Sequence, residues 1–290
     1  MAIIDALKKN QDLASLPHIA SKVLKMIQAK NAELKEIAKV IESDPILTMK
    51  LLRVANSPIF ATRSEIRSIQ HALMLLGMKR ISNIVLSVSI YSKFFMGAHK
   101  NAAILMERFF KHSYLTAATA KTLSLTLRRQ FDDNEFVGGL LHDIGKMAML
   151  QVHPKEYSLV RQLIDQKNLN ELSAEKEVFG ENHVEIGLQI AALWKLPSEI
   201  HRIIAFYKFP NQNDAQKDLV GIVSFADVYA KVRVDMDEDE AENFNFSKIE
   251  SWKVLCEEIP ELKKINTNKL TKHLDKSLKI NPETLNLFTK

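Results

Sequence analysis

Gly139-Leu140-Leu141-His142-Asp143-Ile144-Gly145-Lys146 sets an imidazole beside a carboxylate in an otherwise apolar run. A charge at the edge of a core is costly unless it is paired or bound to a metal. This stretch therefore needs partners from elsewhere in the chain. A nitrogen and an oxygen donor at adjacent positions offer a metal two ligands of different hardness. Lys146 lies three residues past Asp143, shares its helix face, and can hold a phosphate oxygen.

Outward from that stretch, helical periodicity dominates. Val137, Leu140, Leu141 and Ile144 form one apolar face, preceded by Asp132-Asp133-Asn134 as a helix start. Val23, Met26 and Ile27 have helix spacing, as do Ile37, Val40 and Ile41. Asp44 can cap a helix that Pro45 begins. Leu47, Leu51, Leu52 and Ala55 continue it, and Asn56-Ser57-Pro58 turns the chain. Asn56 suits the carbonyls of a helix end. Ser68 can cap Ile69–Leu76, with Gly77 as the stop. The apolar run from Ile81 to Phe95 reads as a buried helix by its length. Ala117, Ala118 and Ala120 allow close helix packing. Later helices are expected to start near Leu159, Glu175, His183, Pro197 and Leu219. Residues 235–242 carry six acids and no base, which suits a solvated loop or the start of an exposed helix. Beyond Phe246, Ile249, Trp252, Leu255 and Ile259 form a helical spine. Phe94, Phe95, Phe109 and Phe110 read as core, and Trp194 packs under the loop that Pro197 begins. No stretch alternates as a strand would, so the fold class is all-α.

With 46% hydrophobic and 26% charged residues, the chain has the composition of a soluble globular protein. No apolar run is long enough to span a membrane, and the N-terminus lacks a signal core. Cys256 is the only cysteine, which excludes an internal disulfide and fits a reducing cytoplasm. Residues 1–130 hold 20 Lys and Arg against 8 Asp and Glu (+12), whereas residues 131–290 hold 20 against 27 (−7). A basic half can meet nucleic acid, yet no Lys/Arg block is dense enough to form a binding arm, so nucleic acid is not an expected partner.

His112, thirty residues before His142, precedes the Ala-rich helix, and Asp227 lies far downstream. A helical bundle can bring His112, His142, Asp143 and Asp227 together. Two imidazoles and two carboxylates suit one divalent Fe, Mn, Ni or Zn ion with positions open to water. The competing reading is that these groups hydrogen-bond one another and hold only structure.

This order resembles the HD superfamily of metal-dependent phosphohydrolases, and more closely its degenerate HDOD branch of bacterial signalling modules. The likeness covers roughly residues 13–230. It rests on Leu16-Pro17, Glu42–Pro45, Leu52–Ser57, Ala72–Gly77, His112-Ser113, Gly139–Lys146, His183 with Glu185 and Gly187, and Trp194–Pro197. The resemblance implies an N-terminal helical lobe (1–97) packed on a degenerate HD-type bundle (98–235) with a C-terminal helical extension (236–290). It also implies His183 as a further ligand or a supporting group. Related HD-GYP phosphodiesterases carry a His-His pair about ten residues past the Leu-Pro step. Tyr207-Lys208 stands there instead, His201 falls at a different point of its helix, and the glycine-rich HD-GYP signature is missing. A one-metal remnant is therefore expected rather than a two-metal site. Ala230 is the neighbouring alternative to Asp227 in that alignment.

The implied function is a cytoplasmic, non-catalytic or weakly catalytic signalling module that works through other signalling proteins or a small ligand such as a nucleotide. The alternative is a metal-dependent phosphohydrolase acting on a nucleotide or cyclic dinucleotide, with Lys146 steadying the phosphate charge.

Overall fold

The computed structural model describes residues 3–9, 15–29, 32–60, 64–96 and 102–278. The helices are α1 (Ile3–Lys9), α2 (His18–Gln28), α3 (Leu34–Glu42), α4 (Pro45–Ala55), α5 (Ile69–Leu76), α6 (Met78–Met96), α7 (Ala103–Thr126), α8 (Asn134–Leu141) and α9 (Ile144–Val152). They continue as α10 (Pro154–Lys167), α11 (Glu171–Phe179), α12 (His183–Leu193), α13 (Ser198–Phe206), α14 (Lys217–Asp235), α15 (Glu238–Asn243), α16 (Glu250–Glu258) and α17 (Thr267–Ser277). No strand occurs among the described residues.

Two compact units result. One contains α2–α6. Its local structure follows its punctuation. Asp44 accepts hydrogen bonds from the Ile46 and Leu47 amides at the start of α4. Ser68 caps α5, and Gly77 ends it at φ 84°, where glycine is favoured. Asn56 donates to the Leu52 and Ile66 carbonyls at 2.9 and 2.8 Å and accepts from the Ile66 amide at 2.8 Å. It therefore fills the structural role its position suggests. The composition change near 97–101 lies outside the described residues.

The other unit contains α1 and α7–α17. A boundary at 97/98 would place α1 with the first lobe. Instead, Ile3 and Leu7 are buried, and α1 packs on α9 and α12. The C-terminal helices α15–α17 belong to the same unit. Arg233 holds Asp275 with two bonds of 2.8 and 2.9 Å, and the Tyr229 hydroxyl donates to the same carboxylate at 2.5 Å. At its centre α7 packs against α14 and α8, and α9 packs against α12. Gly139 brings α8 so close to α7 that an added Cβ would stand 2.7 Å from the Ala117 Cα. That close approach is what the small residues of α7 permit.

Several local readings change. Leu159 and Glu175 lie inside α10 and α11, because Pro154 and the Asn170 cap begin those helices earlier. Asp133 makes no cap bond. It adopts φ 67° and turns inward to Lys121, which also holds Glu135 at 2.9 Å. The acid-rich segment forms α15, capped by Asp237 and without buried residues. Phe94 and Phe110 are core. Phe109 instead lines a cavity, edge-on to Tyr157 at 5.6 Å.

Candidate metal centre and adjoining cavities

α7 supplies His112, the α8–α9 junction supplies His142 and Asp143, and α14 supplies Asp227. All four are buried. The two Nε2 atoms stand 3.3 Å apart, and Asp227 Oδ1 lies 3.0 Å from His112 and 3.4 Å from His142. Asp143 Oδ2 closes the group at 3.5 Å from His142 and 3.8 Å from His112. A tetrahedral ion with ligand bonds of about 2.1 Å spaces its donors about 3.4 Å apart. Among the described residues, His112, His142 and Asp227 form such a donor set, with every pair of donor atoms within 4.8 Å, and Asp143 borders both imidazoles. His142 Nδ1 donates to the Gly139 carbonyl at 2.6 Å, the kind of second bond that aims the opposite nitrogen at a metal. Asp227, not Ala230, faces the imidazoles, since Ala230 is an apolar core residue.

The electrostatics follow from this crowding. Burial pushes the His112 imidazole down, and Asp227 opposes it only in part. Burial acts the same way on His142, but the Asp143 and Asp227 carboxylates outweigh it and carry that imidazole up to about 9. Burial would raise both aspartates. Lys146 and His142 instead hold Asp143 well below the usual range, and Lys208 and Lys231 do the same for Asp227.

On the far side of Asp143, the Tyr207 hydroxyl donates a short hydrogen bond to Asp143 Oδ1 and lies 2.7 Å from His183 Nε2. His183 Nδ1 and its backbone amide both donate to Glu175, at 2.6 and 2.9 Å. His183 Nε2 is 3.6 Å from Asp143 Oδ1, so it borders the cluster without joining it. Lys146 bonds Asp143 at 2.9 Å and Glu171 at 2.7 Å. Lys208 lies 3.7 Å from both Glu171 and Asp227, and Lys231 lies 3.2 Å from Asp227. A cavity of about 350 Å³ opens on His112, Asp143 and Lys146, with Phe109, Tyr157 and Ile164 among its walls. A second, of about 590 Å³, is lined by Asn170, Ser173, Lys176, Lys208 and Phe209. Glu171 lines both.

The sequence reading brought together His112, His142, Asp143, Asp227 and Lys146, and placed His183 beside them. It missed Glu171, Glu175 and Lys231. Only Lys231 left a readable signal, its i,i+4 spacing from Asp227.

The HDOD domain model matches residues 13–210. The chain belongs to the HDOD family. The HDOD chain is 22% identical over 218 residues to an uncharacterized protein of Treponema pallidum (strain Nichols), covering 75% of this chain but 42% of that relative. It therefore spans less than half the length of that curated relative. Its fold is similar to an HDOD domain protein of unknown function from Geobacter sulfurreducens, with TM-score 0.67, 24% identity, and 90% and 92% of the two chains covered. It is likewise similar to a protein of Shewanella amazonensis SB2B provisionally named a phosphohydrolase, with TM-score 0.66, 21% identity, and 94% and 97% covered. At these identities the likeness is one of fold alone. No helix among the described residues is long and apolar enough to cross a membrane.

Proposed function

We propose that this HDOD chain is a regulatory module that holds one divalent cation at His112, His142, Asp143 and Asp227, does not hydrolyse phosphate esters, and acts through contacts with other signalling proteins. The observation that carries this reading is the seat of Tyr207 and Lys208. The Tyr207 hydroxyl stands between Asp143 and His183, where a second cation would need an open coordination position. Lys208 puts an ammonium beside Asp227. A neutral phenol and a fixed positive charge are poor company for a second ion. The donor spacing of the first cluster fits one Fe, Mn, Ni or Zn ion, which would supply Lewis acidity and join three helices.

Metal content of unchelated protein, measured by mass spectrometry, is expected to approach one equivalent per chain and to vanish in Asp143→Ala. Two equivalents, or none, would sink the one-ion reading. Phosphodiester turnover that disappears in Asp143→Ala would instead establish the phosphohydrolase reading. That second reading has its own support, because the 350 Å³ cavity brings a ligand directly against His112, Asp143 and Lys146.

The pH dependence has a definite sign. A cation and a proton compete for His142 Nε2, and the imidazole is held up to about 9. Its protonated form stabilises the cation-free fold below about pH 6.5, and that contribution fades as pH rises through about 9. Metal binding runs the other way and releases one proton. Affinity for Mn(II), measured against a competing chelator, is expected to rise about tenfold per pH unit between pH 6.5 and 8.5. A flat profile would show that His142 is not a ligand.

A further inference from the structure

Among the described residues, only Glu171 lines both cavities and also pairs with the lysines beside the candidate metal centre. Its carboxylate reaches Lys146 at 2.7 Å and Lys208 at 3.7 Å, from the first turn of α11. The Lys146 side chain is 4% exposed and the Lys208 side chain 15%, whereas the Glu171 side chain is 33% exposed. The two ammonium groups are fixed by buried partners, and the carboxylate that joins them is the part open to solvent. Asn170, the cap of α11, and Asn168 at φ 52° lead into it along a turn.

We propose that Lys146 and Lys208 form a phosphate-binding subsite that Glu171 closes from within, so that a phosphate-bearing small molecule binds by displacing the Glu171 carboxylate. This goes beyond the regulatory-module reading given above, which assigns these cavities no ligand. The charges favour the exchange. Lys146, Lys208 and Lys231 face Asp143, Asp227 and Glu171, three against three. Swinging Glu171 outward removes one negative charge from a site that holds these three ammonium groups.

The same balance selects the ligand. A tethered carboxylate competes at an effective concentration on the order of millimolar. A free carboxylate offers the same charge and the same two oxygens, so it loses to Glu171. A phosphate carries about −1.5 to −2 at pH 7 and three acceptor oxygens, enough to hold both ammonium groups at once. The adjoining cavity of about 590 Å³ gives the rest of such a molecule a place to lie.

The test is calorimetric titration of chelator-treated protein with pyrophosphate, and with acetate as the singly charged control. Glu171→Gln is expected to tighten pyrophosphate binding at least tenfold over wild type, with acetate at least tenfold weaker than pyrophosphate in both proteins. Adding Lys208→Met should erase that gain. Glu171→Ser repeats the experiment with a residue that suits a first helical turn. Wild-type crystals soaked in pyrophosphate should show the anion between Lys146 and Lys208 with Glu171 turned outward. The proposal is overturned if both Glu171 variants bind pyrophosphate no more tightly than wild type, if the gain survives Lys208→Met, or if acetate binds the variants as tightly as pyrophosphate does. The titration is run without metal, so failure of the one-ion reading leaves its result intact. Metal content of Glu171→Gln, measured in parallel, tests that reading separately.

Discussion

Gly145→Ala is expected to lower the melting temperature by about 6–12 °C, through a loss of about 3 kcal/mol or more. An added Cβ at Gly145 would stand 1.9 Å from the His183 carbonyl oxygen and 2.7 Å from its carbonyl carbon. Both are backbone atoms in the first turn of α12, so no rotamer change can relieve the clash. α9 must move away from α12. Gly187→Ala serves as the internal comparison. Its Cβ would meet Ile204 Cγ2 at 3.0 Å, and a side-chain methyl can yield. A thermal melt that places Gly145→Ala within 2 °C of wild type, or below Gly187→Ala in effect, would contradict the packing described. The displacement would also shift Lys146 and His183, so Gly145 supports the site as well as the fold.

That glycine marks how far the sequence could be read. Its place between His142-Asp143 and Lys146 was visible, but the helix it touches was not. Caps and stops are local, so Asp44, Ser68 and Gly77 read correctly from their neighbours alone. The four-residue cluster was legible through the order of its residues, which resembles the HD superfamily, because a lone imidazole or a His-Asp doublet in an apolar context more often holds structure. Glu171 and Glu175 were illegible for the opposite reason. Glutamates in a segment such as Glu171-Leu172-Ser173-Ala174-Glu175-Lys176-Glu177 look like a solvated helix face. Only tertiary packing turns Glu175 inward to His183, while Lys167 and Lys176 hold Glu177 and Glu185 at the surface. The inward turn of Asp133 was illegible on the same grounds. A buried Lys121 twelve residues away outcompeted the local amides for its carboxylate.

Tyr207 and Lys208 show the converse, a departure visible in the sequence whose consequence needed geometry. Tyr207→His/Lys208→His is expected to raise the metal content from one equivalent per chain to two. Tyr207 now bridges Asp143 Oδ1 and His183 Nε2, which are 3.6 Å apart, close to the donor spacing of the first cluster. An imidazole at 207 is shorter than a phenol, so it vacates the bridging position and offers a nitrogen instead. The change at 208 removes the ammonium lying 3.7 Å from Asp227 and supplies a neutral donor. His183, Asp143 and the two new imidazoles would then be the residues to hold a second ion. Loss of Lys208 also leaves Glu171 and Asp227 undercompensated, and added positive charge restores that balance. Each single variant should remain near one equivalent, because Tyr207→His keeps the ammonium and Lys208→His keeps the phenol. Mass-spectrometric metal counts on the two singles and the double decide the matter. One equivalent in the double variant would mean that Tyr207 and Lys208 do not set the ion count, and that Lys146, still bonded to Asp143, is enough to exclude the second ion.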